Sequence, residues 1–322
     1  MSALITAPGA YPGIDNTDYH RNPNLLPEPS LSSSGAKTIL DRSLYHFWAN
    51  SPMNPARPPE SEDSSALRIG KAAHDAILLG ERWDSHYFIL PEGFNTAHTS
   101  RFASTIAERD ACIRRGMTVL THGEHKTVID VVDAIGAREG APEALSAGVP
   151  EMTLAWQDKD TGVWLRARPD WLPNSIINDC AGLPRIVSDL KFMDARHCHP
   201  DGWSRAVGGF GYHISAAFYD MGIEAIYGRG ADAHIFLPVE KTYPHYVSIY
   251  QLPAADLARG KAQCRIAIRR FADALAKGQG VENWPGYTLD VEQVGLTNEY
   301  RRVIDEHGSR GDAAFINAVE GE

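Results

Sequence analysis

Cysteine is scarce. The chain holds four, Cys112, Cys180, Cys198 and Cys264, spaced 68, 18 and 66 residues apart and never as a CxxC pair. That spacing gives no signal of a disulfide framework or of an iron–sulfur cluster. Free thiols in a reducing cytoplasm are expected. Long apolar runs are also missing. The longest, such as Ala76–Leu79, extend a few residues, against the roughly 20 a membrane helix needs, so no membrane contact is expected. The opening MSALITAPGAYPG has neither a basic n-region nor an apolar h-region, which predicts no secretory signal. Positive charge is in deficit: 31 Lys and Arg stand against 41 Asp and Glu, a formal charge of −10. A general polycationic coat for nucleic acid is thereby excluded, whereas a local basic groove is not. No GxSxG elbow exists, and the GGFG of Gly208–Gly211 lacks a following GK[ST], so neither a serine hydrolase nor a P-loop is supported. His197, Cys198 and His199, with Cys180, fit no common zinc spacing.

What remains is an ordinary composition in 322 residues, 43% hydrophobic and 22% charged, enough for one large domain or two small ones. Nine of the 20 prolines fall in the first 59 residues and frame one helix over Gly35–Asn50, with Ile39, Leu40, Leu44 and Phe47 at helical spacing. The following SPMNPARPPESEDSS reads as a linker or flap. Further helices are predicted over 65–80, 101–115 and 121–139. The texture changes near Pro150. Strands over 151–157 and 163–170 across the turn DKDTG predict a hairpin. A third strand is predicted over 185–191, and Gly208–Gly211 opens a helix running to Tyr227. Strands near 232–240 and 245–251 and a helix over 254–277 complete the pattern. The expected fold class is α/β, a mixed central sheet flanked by helices. One domain is expected over 1–290, helical over 30–148 and α/β over 150–280. Residues 291–322 read as an acidic tail; eight acidic and three basic residues lie from Asp290 onward, which predicts a solvated end outside the catalytic unit.

Chemistry gathers at Asp170, Asp189 and Lys191. Asp170 ends one predicted strand, and Asp189 lies on the next, 19 residues on. Asp189 and Lys191 are two apart, so on a strand both point to the same face. A hard cation such as Mg²⁺ takes carboxylate oxygens and keeps several waters, and a lysine beside it can orient a water or neutralise a phosphate. RIVSDLKF sets acid and lysine at the end of an apolar strand, where α/β sites collect. His74 sits in the inward stripe of the helix over 65–80, as a core histidine or a metal ligand. Glu151 opens the first strand of the hairpin. Tyr212 and Tyr219 share a helix face as half-buried tyrosines.

The pieces GKAAHDAIL, PEMTLAW, RARPD, SDLKF and GYHISAAFY, in that order, resemble the PD-(D/E)XK nuclease superfamily. Within it they resemble the RecE-type (exodeoxyribonuclease VIII-like) exonucleases of prophages; GIDNTDYHRNP, SLSSSGAKTIL and LYHFW are similar to that group too. The resemblance covers about residues 11 to 285 and implies a restriction-endonuclease-like core. By it, Asp170, Asp189 and the Leu190 carbonyl would ligate Mg²⁺, with Mn²⁺ as substitute, and His74 would complete the shell. Lys191 would position the attacking water, Glu151 would be an accessory acid, and the Tyr212–His213 segment would line the DNA. The implied reaction is metal-dependent 5′→3′ hydrolysis of one strand of linear double-stranded DNA, leaving 3′ overhangs for recombination. The implied assembly is a homo-oligomeric ring, a trimer or tetramer, working beside a single-strand annealing protein. Where the family has a glutamine three residues after the tyrosine, this chain has Ser215, whose reach is shorter. The alternatives are a RecB-like single-strand or structure-specific nuclease, and a catalytically weak DNA-end-binding protein.

Phosphate handling can be read separately. Ser32, Ser33 and Ser34 precede a helix with Lys37 in its first turn, either as a cap or as an anion pocket for a terminal 5′-phosphate. Arg166 and Arg168 alternate on the face of Asp170, to contact a nucleic-acid backbone or pair with the carboxylates.

Overall fold

In the computed structural model, residues 3–59, 63–95, 97, 100–287, 291, 293–299, 301, 302 and 306 are described. The chain divides into two compact units, residues 1–285 and 286–322. In chain order the first unit runs β1 (Gly9–Tyr11), α1 (Asn16–Arg21), β2 (Ser30–Ser32), α2 (Ser33–Asp41), α3 (Leu44–Asn50), α4 (Ser65–Leu79), β3 (Tyr87–Ile89), α5 (Ala103–Arg114), β4 (Thr118–Leu120), α6 (His122–Ala137) and α7 (Ala141–Ala144). There follow β5 (Gly148–Pro150), β6 (Thr153–Gln157), β7 (Trp164–Ala167), β8 (Trp171–Pro173), α8 (Asn174–Ile177), β9 (Ile186–Met193), α9 (Pro200–Gly209), α10 (Tyr212–Tyr227), β10 (Ala233–Glu240), β11 (Tyr250–Gln251) and α11 (Ala254–Lys277). In the second unit, Arg302 and Glu306 form an ion pair at 3.7 Å. Most of the acidic tail lies outside the described residues.

The main sheet has the order β11-β10-β9-β8-β5 and is mixed: β9 and β10 are parallel, the other neighbours antiparallel. A second sheet has the order β1-β6-β7-β2, with β2 parallel to β7. One bent hairpin joins the two sheets. β5 and β8 pair from Gly148↔Pro173 to Pro150↔Trp171, and β6 and β7 from Leu154↔Ala167 to Gln157↔Trp164. Three residues intervene on each side, so the register is kept across the bend. Glu151 and Asp170 sit in that corner, and the Glu151 N–H donates to the Asp170 carbonyl at 3.0 Å.

β9 is buried on both faces, as parallel strands usually are. Leu190 joins Leu237 and Val239 in a core closed by Ala72 and Ala73 of α4 and Val128 and Val131 of α6. On the opposite side, Val187 lies in a core shared with Ile214, Ala217 and Phe218 of α10. Along α11, Gly260, Cys264, Ala267, Ile268, Phe271 and Ala274 are buried, the three-and-four spacing of an amphipathic helix. Gly260 is required where the two helices cross, because a Cβ there would stand 2.4 Å from the His213 carbonyl oxygen.

Several expectations are corrected. The helix over Gly35–Asn50 is two, because Ser43 leaves helical geometry and caps α3 by accepting from the His46 N–H at 3.2 Å. Glu151 does not open a strand; with φ +48° it turns the corner into β6, a conformation costly for a side-chain-bearing residue. Likewise the strand expected over 163–170 stops at Ala167, and the one over 245–251 shrinks to Tyr250–Gln251 plus a bridge from Val247 to Val239. Gly208 and Gly209 close α9 rather than opening the next helix; Gly211 alone, at φ +64°, makes the turn into α10. The part expected to be helical also holds three short strands: β2 extends the second sheet, and β3 pairs with β4. Three residues are too few for alternation to show.

Candidate active site

The bend in the hairpin aims Asp170 at β9 and Glu151 at α4. Asp170 Oδ2 accepts the Leu190 N–H at 2.8 Å, which locks the carboxylate against the central strand. Asp189 and Lys191, two apart on that strand, are paired, and the Lys191 ammonium also lies 3.7 Å from Asp170 Oδ2 and 3.0 Å from the Leu190 carbonyl. His74 reaches in from α4, with Nε2 3.4 Å from Asp170 Oδ1 and Nδ1 4.0 Å from Glu151 Oε1. Its helix is held in place by Glu124 of α6, which accepts from Arg68, from Ser65 Oγ at 2.6 Å and from the Thr121 N–H at 2.8 Å. Although burial disfavours its charge, those bonds hold the Glu124 carboxyl down at about 2.

Two like charges buried together set the electrostatics. Burial and the neighbouring Asp170 push Asp189 up to about 8. Asp170 goes the other way: Lys191 and His74 outweigh burial and hold it well below the carboxylate range. For His74, burial opposes the charge, but Asp170, Asp75 and Glu151 prevail and push it up to about 10. Lys191 is kept charged against burial by Asp189 and Asp170. No hydrogen-bond donor reaches the buried Asp189 Oδ2. An orphaned carboxylate oxygen beside a second carboxylate, a free carbonyl lone pair and an imidazole is an oxygen-rich donor set that fits a hard divalent cation.

Sequence reasoning missed Asp75. One ligand atom each from His74, Asp75 and Glu151 lies within 4.8 Å of the others, a group able to hold a cation. Adjacency to His74 was the available signal. Asp75 Oδ2 also accepts from the Tyr87 hydroxyl at 2.6 Å.

The cleft over this group has a volume of about 560 Å³. Ser33, Ser34, Lys37, Arg168, Ser215 and Tyr219 line it along with His74, Asp75, Glu151 and Asp170. Ser32 does not; its hydroxyl caps α2, accepting the Gly35 N–H at 3.2 Å. Lys37 lies 5.9 Å from the Tyr212 ring centre, and Lys191 5.5 Å from the same ring. Burial and Lys191 lower the Lys37 pKa against the pull of Asp189. Arg168 donates to Thr153 Oγ1 at 2.8 Å and to the Ile14 carbonyl at 2.9 Å.

Two placements correct the sequence reading. Arg166 and Arg168 both lie over the Tyr19 ring, at 5.4 and 4.2 Å, but the bend turns Asp170 away from that face. Arg166 therefore bonds Ser30 and lines a separate cleft of about 400 Å³ with Arg57 and His46. His213 does not share the face of Tyr212, because consecutive helical residues are about 100° apart. Its ring nitrogens lie 3.1 Å from the Val207 carbonyl and 2.6 Å from the Gln263 amide oxygen.

A bent hairpin and a central strand that bring Asp, Asp-x-Lys and a helix-borne His together define the PD-(D/E)XK class of fold. Residues 32–292 match the PDDEXK-like domain of unknown function (DUF3799), and the chain belongs to that family. No curated protein matches it. Among solved structures the fold is similar to that of a Eubacterium rectale protein named "putative exonuclease", at 14% identity and a TM-score of 0.52, covering 83% of this chain and 91% of that one. Among the described residues no helix is long and apolar enough to cross a membrane.

Proposed function

We propose that this cleft is the active site of a divalent-cation-dependent 5′→3′ exodeoxyribonuclease of the RecE type, which degrades one strand of linear duplex DNA and leaves 3′ overhangs. The observation that carries the reading is the placement of Asp170 and Asp189 about one lysine ammonium, with Asp189 Oδ2 lacking a donor. Asp170, Asp189, the Leu190 carbonyl and His74 would hold Mg²⁺ or Mn²⁺, which when bound polarises a phosphodiester and lowers the pKa of a water. The chain's own groups do the rest. Lys191, held charged, donates to the attacking water and offsets the charge growing on the phosphate. Glu151, its carboxyl raised by burial, takes a proton from that water. Ser33, Ser34 and Lys37 at the start of α2 receive a terminal 5′-phosphate, favoured by the free N–H groups of the helix end.

The motif likeness extends the proposal to a trimeric or tetrameric ring acting in the cytoplasm beside a single-strand annealing protein in prophage recombination. The test of the reaction is digestion of 5′-phosphorylated linear duplex with Mg²⁺ or with EDTA, the two ends of one strand labelled separately. Early release of the 5′ label in Mg²⁺ alone is expected. Early release of the 3′ label overturns the polarity, and cutting of closed circles overturns the exonuclease reading. End binding without cutting favours the end-binding protein, to which the short Ser215 points.

A further inference from the structure

β10 runs out of the sheet directly beside the site. Glu240 pairs with Met193 at the end of β9, and the Lys241 N–H donates to the Met193 carbonyl at 2.9 Å. Lys241 lines the cleft together with Phe192 and Asp170. Two residues on, Tyr243 is 90% exposed, and Tyr246 is 60% exposed. The loop that carries them is buttressed. His245 between them is buried, with φ +59° and Nδ1 3.0 Å from the Glu240 carbonyl. Its N–H donates to the Thr242 carbonyl at 2.9 Å, and the Glu240 N–H donates to the Tyr246 carbonyl at 3.1 Å. The backbone is thus spent on holding the turn, while two phenol rings face solvent next to a cleft-lining lysine.

Burying apolar area is favourable, so two rings left in water on a loop that starts from a cleft-lining lysine mark a contact surface. We propose that this loop is a stacking platform for an unpaired stretch of nucleic acid at the mouth of the cleft. Lys241 takes a backbone phosphate, and Tyr243 and Tyr246 stack on successive bases. The proposal rests on the reading of the cleft as a DNA-cleaving site. Charge and position select the occupant: the cation is continuous with the cleft, and aromatic rings accept any base by its face. An intact duplex keeps those faces covered, so the occupant is single-stranded.

The test is binding in EDTA, by fluorescence anisotropy, of duplexes that are blunt or carry an unpaired oligothymidylate tail. Wild type is expected to bind the tailed duplex at least about tenfold more tightly, given the typical contribution of base–aromatic stacking. The Tyr243→Ala/Tyr246→Ala double variant should lose that increment, read against its own blunt-duplex affinity, and Tyr→Phe at both positions should keep it. Both side chains face solvent, and a thermal melt checks that the variant is folded. A wild type without the increment, or an alanine variant that retains it, overturns the platform while leaving the cleft reading in place. A retained increment with altered sedimentation overturns it in favour of a second copy of the chain on the loop. Failure of wild type to bind any of these duplexes overturns both.

Discussion

Asp189 and Asp220 are the same residue at the same exposure, 3% each, and their environments treat them in opposite ways. Asp220, on α10, accepts the Ala231 N–H at 2.7 Å, pairs with Lys261 at 2.7 Å and faces His234 at 3.4 Å. Burial alone would raise it, yet these partners push it down to about 2. Asp189 has Lys191, but it also has Asp170, and one of its oxygens has no donor; it is pushed up to about 8. The first carboxylate is satisfied within the chain. The second is left short of positive charge, the condition expected of a site that completes itself with a cation.

The sharpest way to break this comparison is to neutralise each acid. Asp189→Asn should lower Mg²⁺-dependent digestion by at least about two orders of magnitude, while the metal-free protein melts no lower than wild type, because a neutral amide needs no proton to sit beside Asp170. Lys191→Ala should be as inactive on the same assay. Asp220→Asn should do the reverse: about 1–3 kcal/mol of stability lost, with digestion per folded molecule unchanged. Paired denaturation and digestion measurements check both signs.

A second contrast is pH. Asp189 has a folded pKa above its unfolded one, so the folded state holds an extra proton between about 4 and about 8, and stability falls as pH rises through that window. His74, raised to about 10, adds stability that is present below its ordinary value and is lost as pH rises towards about 10. Asp220, being depressed, contributes stability above its ordinary value that is lost as pH falls towards about 2. The metal-free protein should therefore melt progressively lower as pH is raised from about 4 to about 10, Asp189→Asn should flatten the part of the slope below about 8, and Mg²⁺ should offset it by binding the folded state. Melting curves across pH, with and without Mg²⁺, read all three.

The smallest effects lie at α2. Lys37→Ala should weaken use of 5′-phosphorylated ends by roughly tenfold relative to 5′-hydroxyl ends, a charge-assisted contact being worth about 1.5–3 kcal/mol. Ser32→Ala, which removes the cap and a 3.1 Å bond to the Ser34 hydroxyl but no group that lines the cleft, should cost about 1 kcal/mol of stability and leave the end preference alone. Comparing rates on the two kinds of end separates the roles.

Much of this was legible in the chain before its structure. The helix over 254–277 shows in an unbroken three-and-four spacing, and Asp189-x-Lys191 shows because strand alternation alone sets their common face. What was hidden depends on non-local geometry. The bend at Glu151 and Asp170 is decided by β9, through the bond from the Leu190 N–H, and no local pattern announces it. That same bend separates Arg166 from the cleft. α9 escaped notice because Gly202, Gly208 and Gly209 suppress helix propensity, although Pro200 at its start and the His199 cap, which accepts the Gly202 N–H at 3.2 Å, mark its beginning. Asp75 was passed over because its role exists only where Glu151 turns back toward α4.

The fold holds Asp170 and Asp189 apart in charge, and in the proposed function a divalent cation would join them. Isothermal titration of Mn²⁺ into wild type, Asp189→Asn and Asp220→Asn tests it without reference to any substrate. The account expects one site or more in wild type and in Asp220→Asn, and loss of binding in Asp189→Asn. Equal binding by wild type and Asp189→Asn would contradict it.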